Sequence, residues 1–155
     1  MKAAAATLQR RPELILRTRT SALRFPEGLI GFPECKNFVL IEEEDIAPFR
    51  HLKSTDRDDV GFYVLNPECI RRNYLAFVSE RDWESVDIKD PAAKLVLVIC
   101  KLGSTLEQAS GNLLAPLIIN DANRTGRQIV LCDPFLTYRQ PLLRAKTAEE
   151  IRLPS

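Results

Sequence analysis

The apolar segments of this chain are short, and proline, glycine, asparagine or aspartate interrupts them at intervals of roughly eight to fifteen residues. Such spacing is typical of an all-β sandwich or barrel, because each turn residue ends a strand before helical periodicity develops. We therefore predict a mainly β fold, a single small antiparallel β-barrel-like domain with one or two short helical turns. The strand candidates are residues 14–20, 37–43, 49–55, 61–67, 74–79, 94–102, 112–119 and 127–133.

Two kinds of local pattern refine this prediction. Residues 94–102, KLVLVICKL, are apolar on both faces, which predicts a central strand. Ser79 can cap a helical turn that contains Trp83, and residues 147–150 fit a capping box for a final turn. Residues 104–107 share that pattern, but Ser110-Gly111 follows so closely that we expect a strand or loop there.

The length of 155 residues, 45% of them hydrophobic, suits one domain and is too short for two. We expect a flexible basic tail at residues 1–12, the β-barrel domain at 13–145, and a C-terminal tail or short helical turn at 146–155. No apolar run approaches the ~20 residues that span a bilayer, and no secretory signal is recognisable. We therefore expect a cytoplasmic protein without membrane contact.

The charges are balanced overall but unevenly placed. The net charge is +1, from 22 basic and 21 acidic residues, while residues 1–24 hold six basic residues and one acidic residue. Because no aromatic residue is interleaved among those arginines, a solvated terminus is favoured over a nucleic-acid arm. The remaining chain is mildly acidic, with one run of acidic residues at 42–45. If this acidic run binds a partner, we expect that partner to present a basic surface.

The four cysteines lie more than thirty residues apart, at Cys35, Cys69, Cys100 and Cys132. No close pair exists for zinc, an iron–sulfur cluster or redox chemistry. Because a chain of this size without a secretory signal does not need disulfides, we expect reduced and mostly buried thiols and no metal site.

A catalytic site is not evident either. The single histidine, His51, precedes Ser54 by three residues, and side chains an odd number apart on a strand point to opposite faces. The chain has no GxSxG elbow, no phosphate-binding loop and no GxGxxG before a helix. We therefore predict a protein that is not an enzyme, with no catalytic residues and no cofactor.

Two segments place residues where backbone geometry is demanding. In residues 25–32, FPEGLIGF, Gly28 can adopt a positive φ, and the apolar residues Leu29, Ile30 and Phe32 surround Gly31. These apolar side chains can contribute to the core or to a binding surface.

The second segment is residues 111–120, GNLLAPLIIN. Pro116 removes a ladder donor from this strand candidate, which is tolerated at an edge or a bulge. Asn112 and Asn120 flank the irregularity, and their side-chain amides can satisfy the backbone groups that it leaves free. Barrel construction and a binding role both remain open for these residues.

Taken in order, FPEGLIGF, FRHLKST, NLLAPLIIN, GRQIVL and YRQPLL resemble the flagellar assembly factor FliW family, over residues 25–143. The most specific element is Asn112-Leu113 with Ala115-Pro116 and Asn120. The chain departs from the family pattern at Ile30, Lys53 and Ser110-Gly111. The residues that match the structural family motif are Gly28, Gly31, Asn112, Ala115, Pro116, Asn120 and Gln128.

The resemblance implies a compact, non-catalytic β-barrel-like domain that regulates by protein–protein contact. Members of the family bind the RNA-binding regulator CsrA and hinder its repression of flagellin translation, and they also bind flagellin in a chaperone-like manner. Newly made flagellin thereby competes for the FliW-type protein and frees CsrA. We expect the same two partners here, a monomeric state and no direct nucleic-acid binding.

For the contacts, we expect the acidic run Glu42, Glu43, Glu44 and Asp45 to face a basic partner, and exposed members of the set Leu29, Ile30 and Phe32 to dock apolar groups. Asn112, Asn120 and Gln128 are assigned mainly to architecture. Two alternatives remain open. One is a small split-barrel enzyme that holds a flavin, and the other is direct RNA binding through the arginine-rich N-terminus.

Overall fold

A computed structural model describes residues 17–142, whose strands form one sheet that closes on itself. Because β4 pairs with both β3 and β5, the order β4-β3-β2-β1-β8-β7-β5 closes a seven-strand barrel, with β6 and β9 beyond β5. The predicted β-barrel is confirmed. The strands are β1 Thr18–Arg24, β2 Asn37–Glu43, β3 Arg50–Ser54, β4 Gly61–Leu65, β5 Lys94–Lys101, β6 Ser110–Gly111, β7 Leu117–Asn120, β8 Thr125–Gln128 and β9 Gln140–Pro141.

The barrel is mixed rather than wholly antiparallel. β1 and β8 meet in parallel at Arg24 and Thr125, and the Arg24 N–H donates to the carbonyl of Arg124 at 2.9 Å. The other neighbouring strands of the ring pair in the antiparallel sense. A closed ring with an odd number of strands cannot alternate direction throughout, so one parallel contact is required.

Two apolar clusters stabilise the fold, one inside the barrel and one outside β5 and β7. Leu97 of β5 belongs to the inner cluster, whereas Val96 and Val98 pack outward with Trp83 and Ile118. β5 therefore buries both faces, as its continuous apolar sequence predicted. Each large apolar side chain buried in this way contributes roughly 1.5–3 kcal/mol before conformational entropy is counted.

The first predicted helical turn is confirmed as α1, Glu80–Glu84. The Asp82 N–H donates to the Ser79 hydroxyl at 3.1 Å and the Ser79 N–H donates to the Asp82 carboxylate at 3.4 Å, which completes a capping box. The second predicted turn, at residues 147–150, lies outside the described residues. Short 3-10 helices cover Glu44–Ile46, Pro67–Cys69, Tyr74–Phe77, Pro91–Ala93 and Leu106–Gln108.

The predicted strand at residues 74–79 is wrong, because Tyr74–Phe77 forms a 3-10 helix. Asn73 adopts a φ of 62°, and the Glu68 carboxylate accepts the N–H groups of Asn73 and Leu75 at 2.9 and 3.0 Å. The Glu68 side chain thus pairs the backbone N–H groups that would otherwise pair with a neighbouring strand.

Other strand boundaries shift for local reasons. Pro116 has no N–H, and the regular strand β7 begins only at Leu117, although Pro116 still accepts from Ile129 at 3.0 Å. The predicted first strand, 14–20, is observed from Thr18 to Arg24 among the described residues. Residues 104–107, expected as strand or loop, lead into the 3-10 helix Leu106–Gln108. The expected tails at 1–12 and 146–155 lie outside the described residues.

The four cysteines are free thiols, as predicted. Cys35 and Cys100 are buried, but Cys69 and Cys132 are exposed, so the prediction that most of the thiols are buried is wrong. Among residues 17–142, no helix has the length and apolar character needed to cross a membrane.

Candidate partner-binding surfaces

The glycine turn closes one end of the barrel and is held in place by Gln128. Its side-chain oxygen accepts the backbone N–H of Ile30 at 2.8 Å, and its amide nitrogen donates to the Ala115 carbonyl at 3.0 Å. Gly28 and Gly31 have φ values of 73° and 88°, which glycine adopts without strain. One glutamine therefore joins two motifs that are far apart in the sequence.

The three apolar residues of this turn have different environments. Leu29 is buried, and Phe32 is half-buried with its ring 5.5 Å from that of Phe62 in an edge-to-face contact. Ile30 is 60% exposed. Of the three residues expected to dock apolar groups, Ile30 is thus the one that presents most of its side chain to solvent.

The two asparagines hydrogen-bond to backbone groups. The Asn112 side-chain oxygen accepts the N–H groups of Leu114 and Ala115 at 3.1 and 3.0 Å. Asn120 is buried, donates to the Val86 carbonyl at 2.9 Å and accepts the Ala122 N–H at 2.9 Å. Both side chains complete backbone hydrogen bonding where the strand ladder is interrupted, which is the contact expected from the sequence.

The acidic run lies at the opposite end of the barrel. Glu42 and Glu43 end β2, and Glu44 and Asp45 begin the 3-10 helix that follows. Glu42 forms an ion pair with Arg50 at 3.7 Å, and Glu44 forms one with Arg17 at 3.6 Å. Among residues 17–142, the carboxylates of Glu43 and Asp45 have no ion-pair partner. The negative charge of the run is therefore partly neutralised by arginines. The sequence did not indicate this, because the pairing of strands places these arginines beside the run.

An open cleft of about 460 Å³ accompanies the acidic run. Ala47 and Pro48 supply its accessible apolar groups, and three arginines and three glutamates also line it. Cys69 also lines the cleft, and partial burial raises the pKa of its thiol. Because both signs of charge are present, the cleft suits a protein surface that also carries both signs. The charged residues of the cleft are Arg17, Arg19, Glu42, Glu43, Glu44 and Arg50.

His51 and Ser54 diverge, as predicted from their odd spacing. The His51 ring stacks on Tyr63 with centroids 5.4 Å apart, on the outer face of the sheet. Ser54 is buried, and its hydroxyl accepts the N–H groups of Asp56 and Arg57 at 3.0 Å each. Within the described part of the chain, no cluster of three or more His, Cys, Asp or Glu side chains could hold a metal ion.

One further exposed surface was not predicted from the sequence, and we call it the aromatic–arginine surface. It is formed by residues 71–77 and 135–139, which meet where Arg71 donates to the Phe135 carbonyl at 3.2 Å. The exposed residues of this surface are not spaced with the period of a strand or an α-helix, because they lie on a 3-10 helix and on turns. Its exposed side chains are Arg72, Leu75, Phe135, Tyr138 and Arg139.

Comparison with known proteins identifies relatives over most of the chain. Residues 8–142 match the family described as FliW protein. A flagellar assembly factor FliW from Natranaerobius thermophilus is 34% identical over 121 residues, which cover 77% of this chain and 80% of that protein. One from Leptospira interrogans serogroup Icterohaemorrhagiae serovar Lai is 32% identical over 128 residues, covering 82% and 85%.

Comparison of the fold with solved structures identifies the same family. A crystal structure of the flagellar assembly factor FliW matches this structure with a TM-score of 0.73 and 28% sequence identity, covering 81% of this chain and 87% of that chain. The sequence and structure comparisons thus agree, and this chain belongs to the FliW family of flagellar assembly factors.

Proposed function

We propose that this protein regulates flagellar assembly without catalysis, by binding a CsrA-type RNA-binding translational repressor and flagellin. Each complex lowers the free concentration of the shared protein, so flagellin reduces the amount available to hold the repressor. Partner switching of this kind follows from mass action and reciprocal coupling between two binding equilibria. No chemical step is required.

The observation that carries the proposal is the acidic run at the end of β2. Asp45 is exposed, and neither Asp45 nor Glu43 has an ion-pair partner within residues 17–142. RNA-binding proteins present basic surfaces, and complementary charge accelerates association and selects the partner. The neighbouring cleft adds apolar surface that a docked partner would cover.

A second feature supports a contact with an apolar group. Ile30 projects into solvent from a turn whose backbone is fixed by Gly28, Gly31 and the Gln128 amide. An apolar side chain on a rigid turn can be buried by a partner at little conformational cost. Ile30 lies at the barrel end that carries the glycine turn, away from the acidic run, so the two contacts need not involve the same partner.

Isothermal titration calorimetry with the CsrA and the flagellin of the same organism tests the proposal. We expect each to bind at micromolar or lower concentration. If neither partner binds in that range, the proposed function is wrong while the fold assignment stands.

A further inference from the structure

We propose that the aromatic–arginine surface is a docking site for an acidic protein segment that carries apolar or aromatic anchors. None of its exposed residues lines the cleft beside the acidic run or the pocket at the glycine turn, and the proposal does not depend on the identity of the partners proposed above. Three properties of the surface carry the inference: its rigid support, its exposed apolar side chains and its arginines, which form no ion pair within residues 17–142.

The support of the surface is well ordered by hydrogen bonds to the scaffold. The Tyr74 hydroxyl donates to the Leu113 carbonyl, and the Leu113 N–H donates to the Thr137 carbonyl at 3.0 Å. Tyr74 is fully buried, and burial raises the pKa of its hydroxyl, which remains a protonated donor. The two segments are therefore held against the same residue, Leu113, next to the barrel.

The apolar exposure of this surface is unusually large for so few residues. Phe135 is 75% exposed, Tyr138 is 61% exposed and Leu75 is 41% exposed. These are three of the large hydrophobic side chains that residues 17–142 leave in solvent, and they lie on the two segments joined by the Arg71–Phe135 contact. Large apolar side chains exposed on a rigid support are a feature of protein interaction sites.

The charge of the surface selects an acidic partner. The Arg71 guanidinium lies 5.0 Å from the Phe77 ring and that of Arg139 lies 5.8 Å from the Tyr138 ring. No carboxylate among the described residues forms an ion pair with Arg71, Arg72 or Arg139. Arginines beside aromatic rings form strong hydrogen bonds with carboxylates while their flat faces stay packed.

Two acids of the same region, Glu68 and Asp133, hydrogen-bond to backbone donors and form no ion pair with these arginines among residues 17–142. The Glu68 carboxylate accepts the N–H groups of Asn73 and Leu75, and the Asp133 carboxylate accepts the Phe135 N–H at 2.8 Å. Both acids therefore stabilise the turns.

A protein segment is favoured over single-stranded nucleic acid as the occupant. Nucleic-acid platforms stack successive bases on aromatic faces. Here the aliphatic Leu75 contributes to the exposed area, and the Phe77 face is covered by Arg71. An acidic segment with a leucine or phenylalanine anchor matches both the apolar area and the charge.

Fluorescence anisotropy with the full chain tests the proposal. The probes are a fluorescein-labelled synthetic peptide rich in Glu with Leu and Phe anchors, the same peptide with Lys for Glu, and an oligouridylate. We expect the acidic peptide to bind with a Kd of about 100 μM or tighter, and more weakly as salt is added. Phe135→Ser and Arg139→Glu should each weaken this binding by about tenfold.

Matched controls are Tyr63→Ser, a partly exposed aromatic residue on β4, and Arg24→Glu, an exposed arginine on β1. Both should bind the acidic peptide like the unaltered protein, and all four variants should keep its circular dichroism. The proposal is overturned if the acidic peptide does not saturate, if the lysine peptide binds equally well, or if the oligouridylate binds more tightly.

Two other occupants are distinguished in the same assay. A synthetic peptide of residues 143–155 that binds more tightly than the acidic probe would assign the surface to this chain's own C-terminal segment. Concentration-dependent dimerisation, measured by sedimentation and abolished by Phe135→Ser, would assign it to a second copy. Either result overturns the proposal of an acidic partner segment.

Discussion

The side chain of Gln128 holds Ile30 in place by accepting its backbone N–H at 2.8 Å, across 98 residues of sequence. The same side chain donates to the Ala115 carbonyl at 3.0 Å. The glycine turn, the NLLAP segment and β8 are therefore connected through one amide. This connection brings segments that are far apart in the sequence together at a single end of the barrel.

Replacing Gln128 with alanine should lower the free energy of unfolding by about 0.5–1.5 kcal/mol, because the partly buried Ala115 carbonyl and the exposed Ile30 N–H both lose their partner. Urea denaturation measures this change. Gln140→Ala is the matched control, since the Gln140 amide makes only a 3.4 Å contact with the Pro141 carbonyl. Equal stability of the two variants would mean that the connection does not stabilise the fold.

The two glycines of the turn should differ in their tolerance of alanine. A Cβ on Gly28 would lie 2.5 Å from the Pro33 carbonyl oxygen, whereas a Cβ on Gly31 would have no atom within 4 Å. Gly31→Ala should therefore lower the free energy of unfolding only by the strain of a positive φ, about 1–2 kcal/mol. Gly28→Ala should cost more, about 3 kcal/mol or above, because backbone atoms must move. Thermal unfolding compares the two, and a smaller loss for Gly28→Ala would contradict the observed packing.

The Asp56 carboxylate should make stability depend on pH. It accepts the N–H groups of Asn37 and Lys36 at 2.9 and 2.8 Å, and these bonds hold its pKa below the ordinary value of 3.8. A lowered pKa stabilises the fold above the ordinary pKa, and this contribution disappears as pH falls through the folded-state value. Asp56→Asn should thus be less stable than the unaltered protein at pH 7, and the difference should shrink below pH 3.8.

Asp58→Asn is the control for this measurement, since Asp58 is an exposed neighbour without a hydrogen bond or ion pair among the described residues. At pH 7 its stability should be closer to that of the unaltered protein than the stability of Asp56→Asn is. A difference for Asp56→Asn that stays constant down to acidic pH would show that the charge of Asp56 is not responsible.

Charge reversal of the acidic run should slow association with CsrA. Glu43→Lys with Asp45→Lys changes the two carboxylates that lack ion pairs within residues 17–142, and it leaves the Glu42–Arg50 and Glu44–Arg17 pairs intact. We expect an association rate about three- to tenfold lower at low salt, measured by surface plasmon resonance. The double variant Asp58→Lys with Glu84→Lys has the same net charge and should bind normally. Equal rates for both double variants would exclude the acidic run as the contact.

Much of the barrel could be predicted from the sequence, because strand periodicity and turn residues are local signals. The two-sided apolar pattern of β5 and the capping box of Ser79 were correct for this reason. The strand predicted at 74–79 failed because Glu68, several residues earlier, supplies the hydrogen bonds of a 3-10 helix. The parallel contact of β1 with β8 arises only when seven strands close into a ring.

The surfaces were harder to predict than the fold, because exposure and charge pairing depend on neighbours that are distant in sequence. Leu29 and Ile30 are adjacent apolar residues, yet one is buried and the other is 60% exposed. The acidic run looked uniformly charged until strand pairing placed Arg50 beside Glu42. The aromatic–arginine surface required two segments some sixty residues apart to meet, at Arg71 and Phe135.

The most direct test of the proposed function is a competition experiment. The complex of this protein with CsrA is titrated with flagellin, and released CsrA is measured by its recovered binding to flagellin messenger RNA. Partner switching predicts that flagellin releases CsrA in proportion to the amount of flagellin bound. The factor by which flagellin weakens CsrA binding should equal the factor by which CsrA weakens flagellin binding, measured by adding the two in the reverse order. Stable CsrA binding that flagellin does not change, or no CsrA binding at micromolar concentration, would contradict the account.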